Sequence, residues 1–383
     1  MYKTKKTEVK IRQKGKIMRI TKRNNGGSVS LFAIISFGIT LVCLFLLFLS
    51  SAYVGFADFM NDTLCFGFRR VMAAFADLFP FSLFEVLLFA SPLIVVAVVI
   101  GAVRVFKKGE GKARYFINVI ACLLLFYSGN VIALSISYNT TTVDREMNFS
   151  IVEVNKDNLS ELARSLIEEI NYLSSKVKYE NGVSVAPYSE DVISEKICES
   201  YSALSEKYGF VPDFKSRAKF VRSGSVIMSY LGITGIYSYY TGEANVSTSY
   251  PCYDRVFVAA HELAHQRGVL RENEANFVAY LVCSSSDDVY LRYCGALNLY
   301  SYVASALYRT DKEEYFEVYQ GLCEEARSDL RASSAVTQKY GDTIFEDISS
   351  FVNDLFLKSN GTDGVVTYGR VVTLAVSYFE AVK

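Results

Sequence analysis

The sequence predicts a mainly α-helical protein with a small β-sheet, in which three membrane-spanning helices precede a soluble domain over residues 145–383. Three observations carry this reading. Long charge-free apolar stretches crowd the first 143 residues; amphipathic helical stripes fill the second half; and both histidines of the 383-residue chain fall within one word, HELAH at 261–265.

No charged residue occurs from Asn24 to Ala57 or from Tyr115 to Val143, and Glu85 is the only charge from Leu78 to Val103. A helix needs about 20 residues to cross a hydrocarbon core of about 30 Å. Each stretch is long enough, which predicts spans at 30–53, 81–104 and 115–137. The apolar run of the first span exceeds the usual core of a signal peptide and no A-x-A site follows, so it reads as an uncleaved anchor.

The flanks orient these spans. Residues 1–23 hold ten Lys/Arg against the single acid Glu8. The connection between spans two and three holds Arg104, Lys107, Lys108, Lys112 and Arg114, whereas Asp58–Asp77 sets Arg69 and Arg70 against three aspartates. Positive loops stay cytoplasmic. The expected organisation is therefore a basic cytoplasmic arm over 1–29, a transmembrane region over 30–140, and an extracytoplasmic domain over 145–383 in a multi-pass membrane protein. Basic and acidic residues balance at 40 each, so bulk charge gives no argument for a nucleic-acid partner. Eight cysteines show no C-x-x-C spacing and no metal pattern. The six outside the spans could pair, Cys283 with Cys294 among them, or serve as small buried apolar side chains.

In the outer domain, Leu159, Leu162, Leu166, Ile170 and Leu173 recur at helical spacing within 158–176, and Val192, Ile193, Ile197 and Leu204 within 189–208. Residues 223–250 are β-branched, aromatic and interrupted by Gly232, Gly235 and Gly242, which predicts two or three short strands. A helix follows over 254–268, with Asp254 to cap it, Val256, Phe257 and Ala260 on its apolar face and Gly268 to end it. Further helices are expected at 271–284, 288–309, 312–330, 335–357 and 367–381.

Four residues apart on a helix, His261 and His265 share one face, with Glu262 beside them. This is the HExxH arrangement of a zinc hydrolase. Catalytic zinc takes three protein ligands and keeps one position for solvent. With no further histidine in the chain, the third must be an acid or a cysteine, and RENEANF at 271–277 supplies Glu272 and Glu274. On a helix starting near Arg271, Glu272 shares a face with Asn276 while Glu274 points away, which favours Glu272. Asn276 is then expected to steady a ligand.

HELAH followed by Glu272-x-x-Ala275-Asn276 resembles the gluzincins, metallopeptidases whose third ligand is a glutamate in a second helix reading E-x-x-[SA]-[DN]. The spacing from His265 to Glu272 is shorter than in most of them and approaches the metzincin layout, but Arg271 occupies the metzincin ligand position and cannot bind a cation. TGEANV (241–246), HELAHQRG (261–268), ENEANF (272–277) and SNGTDGVVTYGRVV (359–372) are similar to an uncharacterised bacterial membrane-protein family with a zincin-like domain. The resemblance implies a gluzincin-like fold over 145–383, Zn2+ on His261, His265 and Glu272, and hydrolysis of a peptide or protein substrate. Glu262 would act as general base. Tyr239–Val246 is the expected strand for an extended substrate, and Tyr368 or Arg370 the candidate oxyanion donor. The competing reading is a non-enzymatic envelope protein whose zinc serves structure or sensing, a role with no use for Glu262.

Overall fold

The structure is a computed structural model that describes residues 7–13, 16–22, 29–109, 111–364 and 370–383. Among them the chain is mainly helical with small sheets. The first half contains the strands Thr7–Gln13 (β1) and Lys16–Lys22 (β2). Its helices are Leu31–Ala52 (α1), Val54–Met60 (α2), Phe66–Ala76 (α3), Leu83–Lys108 (α4), Lys112–Ala133 (α5) and Val143–Glu146 (α6). A π-helical turn over Asn61–Cys65 joins α2 to α3, and a 3-10 turn over Ser135–Asn139 follows α5.

The second half begins with Lys156–Ser174 (α7), Lys178–Glu180 (β3), Val183–Val185 (β4), Glu190–Tyr208 (α8), Ala218–Val221 (β5) and Ser225–Tyr230 (α9). Then come Gly235–Ser238 (β6), Glu243–Ser247 (β7), Cys252–Gln266 (α10), Glu272–Ser284 (α11) and Val289–Thr310 (α12). Lys312–Tyr319 (α13), Glu324–Tyr340 (α14), Ile344–Ser359 (α15) and Val371–Val382 (α16) complete it.

The three helices α1, α4 and α5 are long and apolar enough to cross a membrane, where the chain's charge-free stretches predict spans. Chain contacts divide the molecule into two compact units. One unit contains residues up to Cys43 together with Ala90–Ser128. In it β1 and β2 form an antiparallel hairpin. Thr40 Oγ1 lies 3.0 Å from Ser128 Oγ, and the Tyr115 hydroxyl donates to the Val98 carbonyl at 2.6 Å. Such bonds satisfy the few polar side chains of an apolar bundle, whose Val95 and Leu123 stay outward and exposed.

The other unit joins Leu44–Phe89 to Gly129–Lys383. Its core is built mainly from α7, α8, α10, α11, α12 and α16, with Leu166, Ile170, Tyr201, Phe277, Leu297 and Tyr300 fully buried. The β-sheet beside α10 runs in the order β5-β7-β6, with β7 parallel to β5 and antiparallel to β6.

The connection between α1 and α4 is structured in this unit. Arg69 is completely buried and donates to the Asn61 side chain (2.8 Å), the Ser137 hydroxyl (3.0 Å) and the Ala133 carbonyl (3.2 Å). The TGEANV string docks the start of α4. Glu243 accepts from the backbone N–H groups of Leu83 (2.8 Å) and Phe84 (2.7 Å), and Ser82 donates to Asn245 at 2.7 Å. Gly242 takes φ +76 and lies so close to Met72 that a Cβ would come within 2.4 Å of its backbone. Only glycine tolerates both conditions.

Three local expectations are corrected. Residues 225–230 form α9 rather than a strand, because Met228 packs with Phe84 and Val221 and that burial outweighs β propensity. Helix breaks fall at 320–323 and 341–343 instead of near 330–335. Asp311 and Thr343 cap the starts of α13 and α15, and Asp342 takes a left-handed φ of +55. Asp254 lies inside the first turn of α10, whose N-cap position is Pro251. All eight cysteines are free thiols.

Candidate metal centre

Helix α10 is held from both sides. The Tyr201 hydroxyl donates to the Ala260 carbonyl at 2.6 Å, and Gln266 Nε2 donates to the Gly242 carbonyl at 2.7 Å. The helix ends at Gly268, φ +99, where the Val269 N–H bonds back to Ala264. A Cβ at Gly268 would strike the Arg69 guanidinium at 2.4 Å, so the glycine is required by contact as well as by backbone angle. The reversal brings α11 back against α10 after only Gly268–Arg271.

That turn brings three donors together. Nε2 of His261 and Nε2 of His265 lie 3.3 and 3.5 Å from the same oxygen, Glu272 Oε2. Among the described residues this is the one group of three or more His, Cys, Asp or Glu side chains with that convergence. Ligands at about 2.0–2.2 Å around tetrahedral zinc stand roughly 3.4 Å apart, so the separations suit a small divalent ion. The turn also fixes a tautomer: His265 Nδ1 lies 2.8 Å from the Val269 carbonyl, which accepts its proton and leaves Nε2 bare for a cation. His261 Nδ1 is buried with no protein partner.

The electrostatics match a site built for positive charge. Burial would raise the Glu272 carboxyl, but His265 and His261 hold it well below the usual range. Burial alone would lower His265, and Glu272 instead raises it to about 9. Glu262, almost fully buried, is pushed up by desolvation despite the two histidines and an N–H from Tyr237. It lies against Gly235 of β6, where a Cβ would come within 2.6 Å of its Oε1.

Glu274 faces elsewhere. It pairs with Arg271 at 3.0 Å and accepts from the Val143 N–H at 3.4 Å. Asn276 does not reach the histidines; its Oδ1 accepts from the Tyr302 hydroxyl at 3.3 Å. Arg370 is exposed and ion-paired with Asp363, so it is no oxyanion donor here, and Tyr368 lies outside the described residues. The strand expected to receive a substrate, β7, is central and paired on both sides; the open edge beside Glu262 is β6.

Sequence reasoning missed Tyr138 and Tyr302, whose phenols are raised chiefly by burial and further by the Glu272 charge. Neither carries a spacing signal, because their elements lie far from HELAH in the chain. Tyr302 also lines a cavity of about 720 Å³ with Tyr253, Asp254, Asn298, Tyr308 and Ser333.

The fold and site define a mainly helical protein with three apolar helices of bilayer-crossing length and a buried His–His–Glu corner. Residues 61–376 match the family described as "Protein of unknown function (DUF3810)", and the chain belongs to that family. No curated protein and no solved structure matches it significantly.

Proposed function

We propose that the chain is a membrane-anchored zinc metallopeptidase with a gluzincin-like site, its N-terminus cytoplasmic and its catalytic unit extracytoplasmic. The observation that supports this most is the convergence of His261, His265 and Glu272 on one point beside a buried carboxylate that binds none of them. His261 and His265 would hold zinc through Nε2 and Glu272 through Oε2. When bound, the ion supplies Lewis acidity and a more acidic water.

The chain's own residues do the remainder. Glu262, raised by burial while the imidazoles favour its ionised form, takes a proton from water and passes it to the leaving amine. The edge strand β6, Gly235–Ser238, aligns an extended peptide beside Glu262, which accepts from the Tyr237 N–H. Gly235 leaves room for both. Tyr138, whose phenol is raised chiefly by burial and further by the Glu272 charge, is the candidate donor to a developing oxyanion, since the Tyr302 hydroxyl already donates to Asn276.

The test is zinc content and peptide hydrolysis by the full-length protein in lipid discs. Glu262→Gln keeps about one zinc per chain and loses roughly 10²- to 10⁴-fold in hydrolysis. A chain that takes up no zinc on reconstitution rules out the ligand set. Hydrolysis unchanged in the variant rules out the mechanism.

A further inference from the structure

Helix α15 carries an apolar face that stays exposed among the described residues. Ile344, Phe345, Ile348, Phe351, Val352 and Leu355 are 51–70% exposed, and their spacing places all six on one side of the helix. Glu346, Asp347, Ser350 and Asp354 occupy other sides, and the helix attaches to the protein through Leu357 and Phe356. Elsewhere in residues 145–383, large exposed side chains such as Ile151, Tyr172 and Phe316 are scattered. Isolated apolar residues are ordinary on a protein surface, whereas a contiguous patch marks an interaction site.

The patch adjoins the points where the apolar spans end. Leu357 and Phe356 pack with Ala133 and Leu134, where α5 finishes, and with Tyr138 of the 3-10 turn that follows, the Tyr138 and Phe356 rings being 6.2 Å apart. At its other end α15 meets α9, since the Thr343 hydroxyl donates to the Tyr230 carbonyl at 3.1 Å. Helix α9 exposes Val226, Ile227 and Tyr230. It is tied to the start of α4 by the Gly224 N–H, which donates to Glu85 at 2.7 Å. The helix that carries the exposed face is thus joined at one end to the residues that finish and follow α5 and, through α9, to the start of α4.

We propose that α15, with α9 beside it, lies in the interfacial layer of the bilayer, its six apolar side chains among the lipid chains. The inference rests on reading α1, α4 and α5 as membrane spans. A second protein copy or a peptide would also cover apolar surface, but neither explains why the patch begins and ends at span boundaries. The polar sides of α15 carry more acid than base, so attachment is apolar and requires no anionic lipid.

The chain contains no tryptophan, which permits single-tryptophan reporters in the full-length protein. Phe351→Trp, Ile348→Trp, Ser350→Trp and Leu123→Trp are reconstituted in phosphatidylcholine discs with or without brominated acyl chains. Leu123→Trp, on the outward face of α5, and both apolar-face variants lose most of their emission to bromine, while Ser350→Trp keeps it. Quenching at 123 with none above the Ser350→Trp level at 348 and 351 overturns the proposal and leaves the spans standing. So does emission at 351 that responds to protein concentration or added peptide but not to bromine. No quenching at 123 overturns the span reading, and the proposal with it.

Discussion

Two buried carboxylates separate a structural corner from a reactive one. In the sheet corner, Glu243 is capped by two backbone N–H groups at 2.7 and 2.8 Å that have no other role at the start of α4. In the metal corner, Glu272 meets two imidazole nitrogens at 3.3 and 3.5 Å, groups that can carry either a proton or a cation. Desolvation acts on both acids. It prevails at Glu243, which is raised, whereas the histidines prevail at Glu272, which is lowered. Fixed dipoles make a finished joint. Titratable rings make a place whose charge is completed by something added.

The largest expected difference follows directly. Glu272→Ala lowers zinc affinity more than about 100-fold, beyond the 10- to 100-fold usual for removing a residue that merely supports a ligand. Glu274→Ala leaves affinity unchanged because that side chain is occupied by Arg271. Chelator competition on both variants reads this out, and equal losses would erase the distinction between the two glutamates.

Next comes pH. Without a cation, His265 stays protonated up to about 9, so the ion must displace that proton at every lower pH. Zinc affinity should therefore climb by roughly tenfold per pH unit between 6 and 8 and level off above 9, with proton release measurable in weak buffer. Affinity indifferent to pH across that window would show that no such proton is displaced.

The smallest effect on the metal belongs to the structural corner. Glu243→Ala strands two N–H groups at a cost of about 1–3 kcal/mol. It should lower the unfolding midpoint of the purified protein while zinc stoichiometry stays as it was. Loss of zinc in that variant would mean that the two corners are not separate.

Much of this was legible from local pattern. Charge-free runs marked α1, α4 and α5, and the helical period of HELAH placed two imidazoles on one face. Glu272 was selected for sharing a face with Asn276; the structure brings it to the histidines, yet Asn276 serves Tyr302. What stayed hidden is non-local. Val269 accepts from His265 only because Gly268 turns the chain. The meaning of TGEANV lies in helix α4, some 160 residues earlier in the sequence. The open sheet edge is β6 because β5 pairs with β7 from outside the glycine-rich segment.

The arginine inserted behind Gly268 has a practical consequence. Arg69 belongs to the short segment between the first two apolar helices, yet its guanidinium buttresses the reversal that carries Glu272 towards the histidines. A fragment cut after the third apolar helix would leave that reversal without its support and α4 absent from the sheet. The hydrophobic half is thus no mere leash for a self-sufficient domain. It is part of the casting, and a single proteolytic nick after α5 would not release the His–His–Glu corner with all the packing that shapes it.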